Sequence, residues 1–269
     1  MIAGLDGWTE EEVRRAALDG PRHAFGPAPS LEVIERPGWL QLVAPQFKDG
    51  GLNGVWHSVL ADDEADAVID AVIARYHALG VRFRWLTDPD SRPLDLALRL
   101  ARRGLRGEPC KIMARATAGA TAGFGPADGA EVDRDVTVER VDATNLPDFD
   151  HVMCAGWEMD TPPFAAYHRA MLADPAGAAA LYLARWRGEP AGTSTHLRRG
   201  RATCLVGGVV LPAARGRGVY RAMVARRLAD AAAAGVSLAV TLARATTSAP
   251  ILERLGFATV CDTMSFRSA

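Results

Sequence analysis

A chain of 269 residues is long enough for two domains of similar size, and 49% hydrophobic with 23% charged residues describes a globular protein. A formal net charge of -1 gives no pull toward nucleic acid or an anionic membrane surface, so neither is expected as a partner. Acids near the start (Asp6, Glu10, Glu11, Glu12) stand where an export signal is basic, and the longest apolar stretch, Ala231 to Ala243, falls short of the ~20 residues of a membrane span. The four cysteines are scattered with no metal-ligand spacing, which completes the expectation of a cytoplasmic chain with neither disulfide nor metal.

In chain order, apolar alternation predicts strands at Leu31 to Glu35, Trp39 to Ala44 and Gly54 to Leu60. A helix from Asp62 to Leu79, a strand at Arg82 to Thr87 and a helix from Ser91 to Arg103 follow, with Gly104 as its stop. Ala116 to Arg134 is rich in Ala, Gly and Thr and reads as a linker (116–134) between an N-terminal module (1–115) and a C-terminal one (135–269). After it come a strand at Val136 to Val141, helices within Leu146 to Ala173, and strands at Ala180 to Trp186, Pro190 to His196 and Thr203 to Val210. A helix then runs to Ala234 with Gly235 past its end, a strand covers Val236 to Leu242, and a helix opened by Ser248-Ala249-Pro250 ends at Gly256 before a closing hairpin.

The halves read as a duplication. Leu79-Gly80-Val81 to Ser91-Arg92-Pro93 mirrors Ala234-Gly235-Val236 to Ser248-Ala249-Pro250, each followed by a helix and then Gly-Leu or Gly-Phe. The copies differ where a helix begins. The second has Arg215-Gly216-Arg217-Gly218, whose backbone N–H groups suit an anion at a helix N-terminus; the first has Asp62-Asp63-Glu64, which repels one. Only the second half is expected to take an anionic cofactor.

Two phosphate motifs fail on residues the turn lacks. Gly218 is followed by Val219 and Tyr220 rather than Lys-Ser/Thr, and the strand Val236 to Leu242 has no acid for a ribose. Together, the strand ending Val210-Leu211-Pro212, the turn, the next strand and Leu255-Gly256-Phe257 resemble the GNAT (GCN5-related) N-acetyltransferase superfamily. The acetyl-CoA motif is matched at Arg215 and Gly218 and departed from at Tyr220, where the family has a small residue. The resemblance covers Val136 to Phe266 and implies a tandem form with a degenerate N-terminal copy. It implies a mixed α/β fold of two α-β-α modules, each a mixed sheet flanked by helices, acting as an acetyl-CoA-dependent transferase without a metal.

On that resemblance the co-substrate lies on Val209, Val210, Leu211, Arg215, Gly216, Arg217, Gly218, Val219 and Tyr220, with the Val210 backbone amide polarising the acetyl carbonyl. Gly207-Gly208 inside the strand independently marks a bulge or a close-approaching ligand. The family's usual tyrosine acid falls at Leu252, so Tyr220, Thr246, Thr247 and Ser248 are its substitutes, Tyr220 also suiting core packing beside Val224 and Leu228. Glu158 and His196 are the further candidate acid–base groups. Ser248 also suits a helix cap and His196 a plain surface position. Trp157, Glu158 and Asp160 lie in the segment that walls the acceptor. The acids Asp142, Asp148, Asp150, Glu158, Asp160 and Asp174 face a single Arg169, which either marks a solvated helix or attracts a small cationic amine acceptor, a metabolite or aminated antibiotic. The expected protein is a monomer or homodimer that acetylates such an amine directly in a ternary complex; a non-catalytic acyl-CoA sensor is the alternative.

Overall fold

The computed structural model describes residues 2, 4–26, 28, 31–119 and 132–268, so most of the expected linker lies outside the described residues. The first half comprises α1 (Glu10–Arg22), β1 (Glu32–Arg36), β2 (Trp39–Val43), β3 (Gly54–Ser58), α2 (Ala65–Ala78), β4 (Arg84–Thr87), α3 (Leu96–Arg102) and β5 (Arg106–Ala116). The second comprises β6 (Val136–Arg140), α4 (Leu146–Trp157), α5 (Thr161–Ala173), β7 (Ala179–Trp186), β8 (Glu189–Arg199), β9 (Ala202–Val210), α6 (Val219–Ala233), β10 (Leu238–Arg244), α7 (Ser248–Arg254) and β11 (Ala258–Arg267).

All strands join one mixed sheet in the order β1-β2-β3-β4-β11-β5-β10-β9-β8-β7-β6. The last strands of the two halves are exchanged: β11 pairs with β4, and β5 pairs with β10, while β5 and β11 run antiparallel to each other at the centre. The expected closing hairpin is therefore one long strand, because its partners come from the first half. Ala116, expected in the linker, is the last residue of β5 and pairs with Leu238. About the sheet centre the halves repeat one pattern. In each, a parallel pair (β3–β4 or β9–β10) holds together for only a few residues, and the strand before the gap is bulged.

Alternation of side chains across the strands separates two layers. Met113, Leu205 and Ala239 pack with α6 and α7, whereas Ile112, Cys204 and Val240, one residue away on the same strands, pack with α1. Leu181, Leu183 and Leu197 carry α4 and α5 on the α1 face, while Trp85 and Phe266 carry α2 and α3 on the other. The helix α1, which the sequence reading omitted, starts at a capping box: the Thr9 hydroxyl accepts from the Glu12 N–H at 3.2 Å and the Glu12 carboxylate accepts from the Thr9 N–H at 2.7 Å.

Candidate active site

Beyond Cys204 and Val240 the strands β9 and β10 stop pairing. The last tie is a side chain, the Thr241 hydroxyl donating to the Leu205 carbonyl at 2.8 Å. Past this point the β8–β9 register shifts between Thr193 and Thr195, so that Gly207 and Gly208 together oppose one residue of β8. Gly207 has φ +62°, which a side chain there would strain. A Cβ on Gly208 would meet the Tyr220 ring at 2.9 Å, so bare backbone is what lets the first turn of α6 approach the strand.

The ladder fixes which way the amides beyond the bulge point. The Leu211 N–H donates to the Ala191 carbonyl at 2.9 Å, and Val210 stands opposite Gly192. Alternation in an antiparallel pair then turns the Val210 N–H away from β8, toward the side from which β10 has departed. The Val210 carbonyl, on that side too, accepts from Arg215 Nε at 3.3 Å. A short 3-10 turn over Pro212–Ala214 leads into the glycine turn, where Gly216 and Gly218 both have φ +76°. Gly218 is the N-cap of α6, whose first N–H groups have no carbonyl within the helix to bond. The Arg217 guanidinium lies 5.0 Å over the Trp186 ring, so what Arg217 offers the turn is its backbone.

The gap is a cavity of about 160 Å³ that reaches from one face of the sheet to the other. Gly207, Gly208, Thr241 and Leu242 form its edges, Tyr220, Arg227 and Leu252 its α6–α7 end, and Trp157, Arg244, Thr247 and Ser248 its remaining wall. Among the described residues of the first half the corresponding gap is bridged. There Val59 bridges to Arg92, the Arg92 N–H donates to the Ser58 carbonyl at 3.1 Å, and Trp56 occupies the bulge. Its acidic helix start is engaged within the fold, since Arg99 binds Asp62, Asp66 and Asp95.

An acetyltransferase (GNAT) domain model matches residues 127–245, which contain the bulge, the turn and both strands that edge the opening. The chain contains a GNAT domain. The whole chain is similar in fold to a GCN5-related N-acetyltransferase from Kribbella flavida, at 17% identity and TM-score 0.63 over 95% of each chain. It is also similar to a conserved protein of unknown function from Staphylococcus epidermidis, at 13% identity and TM-score 0.66 over 89% of this chain and 94% of that one. A tandem GNAT protein from clavulanic acid biosynthesis matches at 14% identity and TM-score 0.54 over 99% of this chain and 96% of its own. At these identities the likeness is one of fold. No curated protein sequence matches.

Within the GNAT domain the candidate residues separate. Tyr220, Trp157 and Ser248 line the opening, while Val209 to Leu211 and Arg215 to Val219 follow Gly208 along the chain, from the end of β9 to the start of α6. The Ser248 hydroxyl accepts from the Arg244 backbone N–H at 2.9 Å, which ties the end of β10 to α7. His196 lies inside the α6 layer, not on the surface: its ring packs on Tyr182 at 5.5 Å, and burial followed by the Arg227 charge pushes its pKa down to about 4. Tyr220 is the phenol that lines the opening. Burial raises its pKa and keeps it protonated, with the neighbouring Arg227 guanidinium pulling the other way.

The acids of 142–174 are mostly engaged. The Asp142 carboxylate accepts from the Thr144 N–H and hydroxyl, Asp148 pairs with Arg185 at 2.7 Å, Asp150 is buried against His168, and Asp174 accepts from the Ala176 N–H. Glu158, in left-handed conformation after α4, and Asp160, before α5, make no side-chain hydrogen bond or ion pair among the described residues. The charges on the cavity wall are instead Arg227 and Arg244, and the Arg244 guanidinium stacks 5.3 Å over Trp157. Sequence reading missed Arg244, Thr241 and Arg227, since a lone arginine or threonine in a strand or helix carries no motif.

Proposed function

We propose that the second half transfers an acetyl group from acetyl-CoA to a primary amine of a small molecule, with both bound at once. What carries this reading is the continuity of one opening: a glycine bulge, an outward-facing amide and a glycine turn at a helix N-terminus follow each other along its edge. The residues fit the co-substrate. Backbone N–H groups at the start of α6 suit the diphosphate, and the width left between β9 and β10 suits pantetheine. The Val210 N–H suits the thioester carbonyl, where it stabilises the oxyanion as the amine nitrogen attacks.

As the new C–N bond forms and C–S breaks, the nitrogen releases a proton to solvent and the departing thiolate takes one up. Tyr220 replaces the usual tyrosine absent at Leu252, and its protonated phenol is the donor in this reading. Four of the six acids of 142–174 are bonded within the fold, which leaves Glu158 and Asp160, beside Trp157, as the carboxylates open to a cationic acceptor.

Calorimetry with CoA and thiol release with acetyl-CoA and an amine panel test this. Gly218→Val is expected to abolish CoA binding, and to lower stability through the strain of a β-branched residue at φ +76°. Tyr220→Phe is expected to keep CoA affinity and lose about a hundredfold in turnover. Tight CoA binding without transfer to any amine supports a sensor instead, a reading that Leu252 at the usual acid position favours.

A further inference from the structure

We infer that the amine acceptor also carries a carboxylate, held by an arginine cluster at the seam between the two halves; this rests on the acyl-transfer reading above. Strand register puts Arg244, Glu108, Arg267 and Arg84 on one face of the sheet, the α1 face, because each is paired with or alternates from Cys110, which shares its face with Ile112. They come from β10, β5, β11 and β4, and so from both halves of the chain. Glu108 is the carboxylate among them, and both its oxygens are taken: Arg244 Nε lies 3.1 Å from one and Arg267 Nη2 lies 2.9 Å from the other.

Three guanidiniums against one carboxylate leave the cluster short of negative charge. Arg84 makes no side-chain hydrogen bond or ion pair among the described residues, and Arg267 Nε is buried without a partner there. Burial and then the charges of Arg267 and Arg244 pull the Arg84 pKa down to about 10, the direction expected of a cation lacking an anion. A guanidinium in that setting presents a planar fork matched to a carboxylate. The cluster is also open, since the side chains of Arg244, Glu108 and Arg267 are 37%, 33% and 38% exposed.

Position connects this cluster to the chemistry. Arg244 and Trp157 belong both to the cluster's edge and to the wall of the opening where the thioester is proposed to lie. β4 and β10 are three strand spacings apart, about 14 Å, so Arg84 and Arg244 reach toward Glu108 from opposite sides. An acceptor lying across this floor places its amine at the opening and its acid group among the arginines. An amino acid or a short peptide has that chemistry; a polyamine does not.

The experiment compares free amino acids of increasing amine-to-carboxylate spacing, and dipeptides, with their C-terminal amides, using thiol release by the full-length protein with acetyl-CoA. Amidation lowers the pKa of an α-amine and so supplies more of the attacking neutral form, which biases the assay against the proposal. The free acids are nevertheless expected to have KM values about ten- to a hundredfold lower. Arg84→Gln and Arg267→Gln should erase that difference by raising KM for the acids alone, with CoA affinity and melting temperature unchanged and Arg84→Lys intermediate.

Calorimetry of the CoA-bound protein with the same acids reads the subsite even where no acetyl transfer occurs, so failure of the reaction and failure of the subsite are distinguishable. Equal use of acids and amides, or an unaltered preference in both variants, overturns the inference. Succinyl-CoA and malonyl-CoA form a further arm: if Arg84→Gln impairs these donors and leaves acceptor KM untouched, the anion belongs to the acyl group and the acceptor assignment is overturned.

Discussion

The Tyr220 ring and the backbone of Gly208 touch so closely that a Cβ on Gly208 would lie 2.9 Å from Cε2 of the ring. Gly208→Ala is expected to push the ring off the strand, costing about 1–3 kcal/mol as overpacking does and impairing acetyl-CoA binding. Removing the ring removes the conflict, so Gly208→Ala with Tyr220→Ala should be more stable than the sum of the single changes by about 1 kcal/mol. Denaturant midpoints of the four proteins provide the cycle; additive changes would show that the contact does not exist. Gly207 serves as contrast. A Cβ there meets nothing nearer than Thr195 Oγ1 at 3.8 Å, so Gly207→Ala carries only the strain of its φ of +62°, about 1 kcal/mol.

These glycines also explain how much was legible in the sequence. Glycine inside a strand is a local signal, and so is a glycine turn at a helix start, which is why the bulge, the turn and the helix α6 were all anticipated within a few residues. Pairing between distant strands leaves no local trace. β5 and β11 exchange partners between the halves, and nothing in Arg106–Ala116 names Leu238–Arg244 as its neighbour. The seam cluster was hidden for the same reason, its arginines being drawn from strands that begin at 84, 238 and 258. The helix α1 is a different case, since Thr9-x-x-Glu12 is a local capping-box signal ahead of Val13, Ala17 and Leu18.

The position of His196 gives stability a pH dependence. Its folded pKa of about 4 lies below the ordinary 6.5, so the unfolded chain binds a proton that the folded one does not between these values. The contribution is fully present above about pH 6.5 and is lost as pH falls toward 4, a difference of about 3 kcal/mol. Unfolding midpoints measured from pH 7.5 down to 4 should therefore fall more steeply for the wild type than for His196→Gln. The same variant should leave the pH profile of turnover in place, because the ring lies under α6 and outside the opening. A lost acidic limb in that profile would restore His196 as a base.

The two halves share a bulged strand and a parallel pair that separates, yet they differ in what fills the gap, and this sets the stoichiometry of CoA. In the second half Gly207 and Gly208 leave backbone bare and Gly218 opens α6 with φ +76°. In the first, Trp56 stands at the bulge, the segment around Arg92 bridges back to Ser58, Val59 and Leu60, and α2 begins beside Asp62, Asp63 and Glu64. Carboxylates at a helix N-terminus occupy the field that a diphosphate would use. Calorimetric titration is expected to give one CoA per chain for the wild type and none for Gly218→Val. Two sites per chain, or one that survives Gly218→Val, would mean that the first half binds CoA despite its acids and its bridged gap.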